Sequence, residues 1–307
     1  MPVPDILISE VGPRDGLQNT KIFMPTEAKK RWISALAQAG LREIEVCSFV
    51  NPKLIAQFAD AEEIVAHALT IPNVAVVTLV PNLKGAERAA KTGAHKVSLP
   101  ISASEAHSKS NVRKTVDEQI EELERIVELR RSGAAKFEVN GGISTAFGCT
   151  IQGDVPQKDV LRLVERVVEA GADSVSIADT VGYANPKQVR EVFAEARKIA
   201  GKKLDAAHFH NTRGLGLANC LAAIEAGVTS LDSSMAGLGG CPYAPGASGN
   251  VITEDLVFML ESMGLKTGID FAKLIEARRV LEEALPGAEF HGHLAKAGLP
   301  KGFKEAA

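Results

Sequence analysis

Five times along this 307-residue chain, a small residue and a glycine lead by a short step into a strand-like run. The segments are Ala39-Gly-Leu-Arg-Glu-Ile-Glu-Val46, Thr92-Gly-Ala-His-Lys-Val-Ser-Leu99, Ser132-Gly-Ala-Ala-Lys-Phe-Glu-Val139, Ala170-Gly-Ala-Asp-Ser-Val-Ser-Ile177 and Ala226-Gly-Val-Thr-Ser-Leu-Asp-Ser233. Each glycine sits where a helix would end. There the chain favours a left-handed residue, which glycine adopts without a Cβ penalty. Repeated helix–glycine–strand joints imply serial βα units, and these fold into a parallel sheet or barrel.

Strand-like runs fall at 6–11, 43–48, 74–80, 96–100, 136–139, 174–178, 204–210 and 229–233. Most are nearly continuous apolar stretches, as parallel strands covered by helices require. Helical periodicity occupies 28–39, 116–130, 157–170, 186–199 and 216–226, with Pro186 opening one helix. Eight strands with no break in composition predict a TIM (β/α)8 barrel. No G-x-G-x-x-G follows the first strand, which argues against a dinucleotide-binding sheet. The whole chain, 1–307, reads as one catalytic barrel domain, with about 251–307 as a C-terminal helical extension.

A composition of 45% hydrophobic and 24% charged residues suits a packed globule, and a net charge of −3 argues against nucleic-acid partners. No apolar run approaches the roughly 20 residues of a membrane span, and the start has neither a secretory nor a transit pattern. Four scattered cysteines fit a reduced, cytoplasmic enzyme better than a disulfide scaffold.

A barrel enzyme carries its chemistry at the C-terminal ends of its strands, and the polar residues gather there. His208 and His210 alternate to the same side of strand seven, and two adjacent imidazoles chelate a divalent ion well. Asp15 after strand one offers a carboxylate to the same ion, or else shapes a turn. Arg14 would hold an oxyanion or close a salt bridge. Glu45 lies within an apolar strand and needs a partner or a polar lumen. Asp179 closes strand six as a candidate base or positioning group. The segment 236–249 contains five glycines around Cys241, a candidate proton donor or an inert thiol. Asn250 follows as a ligand or a helix cap.

The motifs Glu10-Val-Gly-Pro-Arg-Asp-Gly-Leu-Gln-Asn19, Ile44-Glu-Val-Cys-Ser-Phe-Val50, His208-Phe-His-Asn-Thr-Arg-Gly214 and Gly237-Leu-Gly-Gly-Cys-Pro-Tyr243 together resemble the hydroxymethylglutaryl-coenzyme A lyase family. The resemblance runs from about Ile8 to Gly268. It implies cleavage of 3-hydroxy-3-methylglutaryl-CoA to acetyl-CoA and acetoacetate, a step of leucine degradation, by a homodimer acting on an acyl-CoA. It also implies Mg2+ or Mn2+ on Asp15, His208, His210 and Asn250. Arg14 then steadies the enolate oxygen, Cys241 returns a proton, and Glu45 and Asp179 are the acidic residues of the site. Arg14, Gln18 and Ser48 meet the substrate.

This sequence departs from the family at Asn211, where Asp is common, at Cys47, where Thr is common, and in segments 140–142 and 147–153. These departures bear on the acyl group more than on the reaction type, and leave a related 3-hydroxy-3-carboxyalkyl-CoA such as citramalyl-CoA as an alternative substrate. An isopropylmalate-type synthase is expected to carry a further C-terminal regulatory domain. A non-catalytic binding barrel needs none of Arg14, Asp15, the histidines or Cys241.

Overall fold

A computed structural model describes residues 4–239 and 249–306. Among these, eight parallel strands close a barrel in chain order: β1 (Leu7–Glu10), β2 (Glu43–Ser48), β3 (Ala75–Leu79), β4 (Lys96–Ser102), β5 (Glu138–Ser144), β6 (Ser174–Asp179), β7 (Leu204–Phe209) and β8 (Ser230–Ser233). The registers Leu7↔Ser230 to Glu10↔Ser233 close β1 onto β8. The (β/α)8 barrel expected from the repeated joints is therefore the observed fold. All five joint glycines are left-handed, with φ of 106° at Gly40, 84° at Gly93, 79° at Gly133, 91° at Gly171 and 93° at Gly227.

The helices are α1 (Thr26–Gln38), α2 (Ala61–Ala68), α3 (Leu83–Ala90), α4 (Glu105–Asn111), α5 (Val116–Arg131), α6 (Gln157–Ala170), α7 (Pro186–Ala200) and α8 (Gly216–Glu225). After β8 come α9 (Thr253–Ser262), α10 (Phe271–Ala284) and α11 (Leu294–Ala297). α10 packs on α1, and Asp270 N donates to Ala39 O (2.8 Å) beside the joint at Gly40. Capping boxes start α5 at Thr115 and α7 at Asn185. No described helix is long and apolar enough to cross a membrane.

Two details depart from the sequence expectation. α2, α3 and α4 have only 8, 8 and 7 residues, too short to show a helical period. β5 begins later than predicted and continues through Gly141 and Gly142. Those glycines look like a strand break, but a Cβ at Gly141 would run into Val167 Cγ1 of α6. The position is glycine because the helix lies so close.

Trp32, Phe58, Phe137, Phe193 and Phe209 are fully buried. At roughly 1.5–3 kcal/mol per large apolar side chain, such residues hold helices to strands. The lumen is free to be polar. There Asn140 Nδ2 donates to Ser174 Oγ (2.9 Å), and the Ser98 and Ser176 hydroxyls donate to Asn140 Oδ1 (3.2 and 3.1 Å).

Candidate metal centre

Beyond β1 the backbone tightens into a single π-helical turn, Gly12–Gly16, with Pro13 in its first positions. The N–H groups of Arg14, Asp15 and Gly16 all point to Val11 O (3.1, 2.7 and 3.3 Å). A Cβ on Gly12 would lie 2.5 Å from Glu10 Oε1 and 2.9 Å from Trp32 of α1. The turn is pressed against the barrel end, and Arg14 and Asp15 leave it side by side.

Asp15 meets His208 and His210, whose rings are 5.1 Å apart between centroids. One ligand atom from each of the three residues lies within 4.8 Å of the others. β7 ends at Phe209, and His210 continues it into an isolated antiparallel bridge with Asn250. Asn250 Nδ2 donates to Asp15 Oδ2 (2.7 Å) and Leu238 O (3.0 Å). A Cβ on left-handed Gly239 would stand 2.7 Å from Asn250 Nδ2, which accounts for one glycine of the 236–249 stretch. Asn250 does not cap α9, because Ile252 occupies that position.

Buried His210 Nδ1 and Asn250 Oδ1 have no hydrogen-bond partner among the described residues, and a buried acceptor without one is costly. Burial raises the Asp15 carboxyl, but Arg14, His208 and His210 outweigh it and hold it at about 2. Burial and His208 depress His210 to about 4. An ionised carboxylate, a neutral imidazole and a free amide oxygen form an oxygen- and nitrogen-rich set that suits a hard or borderline divalent ion.

Residues 5–281 match the HMGL-like family. The chain belongs to the HMGL-like family. It is 41% identical over 286 residues to hydroxymethylglutaryl-CoA lyase YngG of Bacillus subtilis, covering 93% of this chain and 95% of that one. It is 40% identical over 280 residues to the mitochondrial hydroxymethylglutaryl-CoA lyase of Gallus gallus, covering 91% and 93%. The solved HMG-CoA lyase of Acinetobacter baumannii, in complex with coenzyme A and 3-methylmalate, superposes with a TM-score of 0.90. It shares 41% identity over 97% of each chain.

Within this HMGL-like barrel, Arg14 Nε donates to Glu45 Oε2 and Nη1 to Asp15 Oδ1, both at 2.6 Å. Burial opposes the Arg14 charge, but Glu45 and Asp15 outweigh it. Burial pushes Glu45 up to about 7 against the pull of Arg14. Ser48 is buried and its Oγ accepts from Val50 N (3.2 Å). The pairing of β2 with β3 slips between Glu45 and Cys47. Cys47 Sγ donates outward to Ala61 O of α2 (3.7 Å), so Ser48, the next residue, turns to the lumen side with Glu45. Gln18 is half-buried just beyond the turn.

Asp179 is buried at the end of β6, where Tyr183 N and Ala184 N donate to its two oxygens (2.8 and 3.0 Å). Burial raises it to about 6 against those two bonds. Cys241 lies outside the described residues.

The departures from the family pattern mostly face away from the metal ligands. Cys47 points to α2. Asn211 Oδ1 accepts from Gly216 N (3.0 Å) at the start of α8. Asn140 is in register with Ser174, whereas His208 is in register with Ala178, nearer the mouth. Phe147 packs on Phe209, ring centroids 6.3 Å apart. Sequence reasoning gave no role to two acids. Glu10 Oε1 accepts from Gly12 N and Met235 N (both 2.9 Å), and Thr253 Oγ1 donates to its Oε2 (2.6 Å). Asp232 Oδ2 lies 3.0 Å from His208 Nδ1. Glu10 ends a largely apolar strand, a signal akin to the one that marked Glu45, whereas Asp232 stands in the polar run Ser230-Leu-Asp-Ser233.

Proposed function

We propose that this chain is a carbon–carbon lyase that splits 3-hydroxy-3-methylglutaryl-CoA into acetyl-CoA and acetoacetate, using Mg2+ or Mn2+. The observation that carries the reading is the convergence of Asp15, His208 and His210 with the unpaired Asn250 Oδ1. A divalent cation bound there would supply Lewis acidity, lowering the pKa of an alcohol that it holds. Arg14, its charge backed by Glu45 and Asp15, would balance the negative charge that develops on the thioester enolate oxygen. Glu45 and Asp179, raised by burial to about 7 and about 6, have basicities suited to accepting a proton near neutral pH. We assign the return of a proton to carbon to Cys241, and further substrate contacts to Gln18 and Ser48. We read 1–307 as one catalytic barrel with its extension at about 251–307.

HMG-CoA is favoured over a related hydroxyacyl-CoA because Cys47 Sγ is directed to Ala61 O of α2 and Asn211 Oδ1 to Gly216 N of α8, so neither of these two atoms is directed at the metal ligands. The test is acetoacetate release from HMG-CoA by purified protein, before and after chelation and on adding back Mg2+ or Mn2+. The expected result is turnover that chelation removes and the metal restores. Faster turnover of citramalyl-CoA would overturn the substrate, and full turnover after exhaustive chelation would overturn the metal.

A further inference from the structure

His208 and Asp232 sit directly across from one another on β7 and β8, paired in register. Their side chains meet in the barrel, with His208 Nδ1 3.0 Å from Asp232 Oδ2. An ionised carboxylate only accepts hydrogen bonds, so the nitrogen facing it must carry the proton. In the neutral ring, the form that can bind a metal, Nε2 then keeps its lone pair free. Among the described residues His210 has no such neighbour at Nδ1, which is buried without a hydrogen-bond partner. The two imidazoles of the cluster are therefore not equivalent. One is oriented by a carboxylate on the adjacent strand, and the other by its backbone bridge to Asn250.

We propose that Asp232 is a positioning residue that fixes the ring orientation and tautomer of His208, so that Nε2 is the atom presented to the divalent cation. The inference rests on the metal site proposed above. A ligating histidine held through its second nitrogen by a carboxylate is a more basic and better oriented donor, and loss of such a partner lowers metal affinity by about 10–100-fold. The placement gives the acid of the short strand β8 a partner inside the barrel. It also separates the tasks of the acids near the site. Glu45 bonds Arg14 and Asp15 lies beside both histidines, whereas Asp232 meets the Nδ1 side of the His208 ring.

The full-length protein is tested in two ways. In metal-free wild type with 15N-labelled histidine, the His208 signals are expected to report the Nδ1–H tautomer. A neutral ring that carries its proton on Nε2 and not on Nδ1 would overturn the proposal, whether or not the protein takes up metal. In Asp232→Asn the amide can donate to or accept from Nδ1. The signals should then shift toward a mixture, and the Kd for Mn2+, read by calorimetry, should rise about 10–100-fold. Asp232→Glu, which keeps a carboxylate, should lie closer to wild type than Asp232→Asn. An unchanged Kd together with an unchanged tautomer in a folded Asp232→Asn variant would overturn the proposal. Failure of the wild type to bind Mn2+ would instead sink the metal reading, and the tautomer measurement would still judge the role of Asp232 in setting the ring.

Discussion

Asn250 Nδ2 donates to Asp15 Oδ2 at 2.7 Å, joining residues 235 positions apart in the chain. The bond occupies the nitrogen end of the amide and leaves Asn250 Oδ1 buried and unpaired. Asn250 thus orients one proposed ligand while offering another. Asn250→Ala removes both contributions, and its Kd for Mn2+ is expected to rise by more than about 10-fold, with a parallel loss of turnover. His210→Ala should abolish turnover while far-UV circular dichroism stays that of the barrel. A folded His210→Ala variant with wild-type turnover would sink the metal assignment.

Arg14 and Glu45 form an ion pair with side chains only 12% and 6% exposed. Removing one member of such a pair strands the other charge. Arg14→Met is therefore expected to cost about 3–5 kcal/mol of stability as well as activity. Replacing both, as Arg14→Met with Glu45→Leu, should recover part of that stability, because Glu45 is no longer stranded while Asp15 still loses its bond from Arg14 Nη1. Activity should stay lost, since the enolate oxygen has no guanidinium to meet. Urea unfolding and turnover, measured on the single and double variants, separate the two effects. Recovery of both by the double variant would refute the role of Arg14.

Glu10 predicts a pH dependence of stability. Burial, against its three hydrogen bonds, raises its carboxyl from 4.5 to about 8. The unfolded chain releases this proton near pH 4.5, and the folded protein holds it until about pH 8. Between those values the folded state binds more protons, so Glu10 makes stability fall as pH rises, by up to about 1.4 kcal/mol per pH unit. Glu10→Gln keeps an acceptor for Gly12 N and Met235 N, and its amide N–H can donate to Thr253 Oγ1, which then accepts instead of donating. The variant should lose less stability than wild type between pH 5 and pH 8. Equal slopes in urea unfolding at the two pH values would show that Glu10 is ionised in the fold.

Much of the barrel was legible in the sequence because it is written in short segments. A left-handed residue after a helix, such as Gly171, is a steric matter for one or two residues. An apolar run such as that around Ile44 is a pattern within six. His208 and His210 fall on one side of β7 by the alternation of a strand, and they needed no other part of the chain to suggest a metal.

Tertiary structure decided what depends on neighbours. The strand-like run at 136–139 stops short of Gly141, and it is the closeness of Val167 of α6 that calls for glycine at that position within β5. Simple alternation puts Ser48 opposite Glu45, and only the slip against β3 returns it to the lumen side. Asn250 could cap a helix or face the site, and the bridge to His210 settles its position. Closure of β1 on β8 brings the turn bearing Asp15 round to His208. The sequence by itself determined that the chain would wind into βα units and which residues had unusual chemistry. Which of those residues meet was left to register and closure, because contacts between distant segments are fixed only when the strands pair and the helices pack.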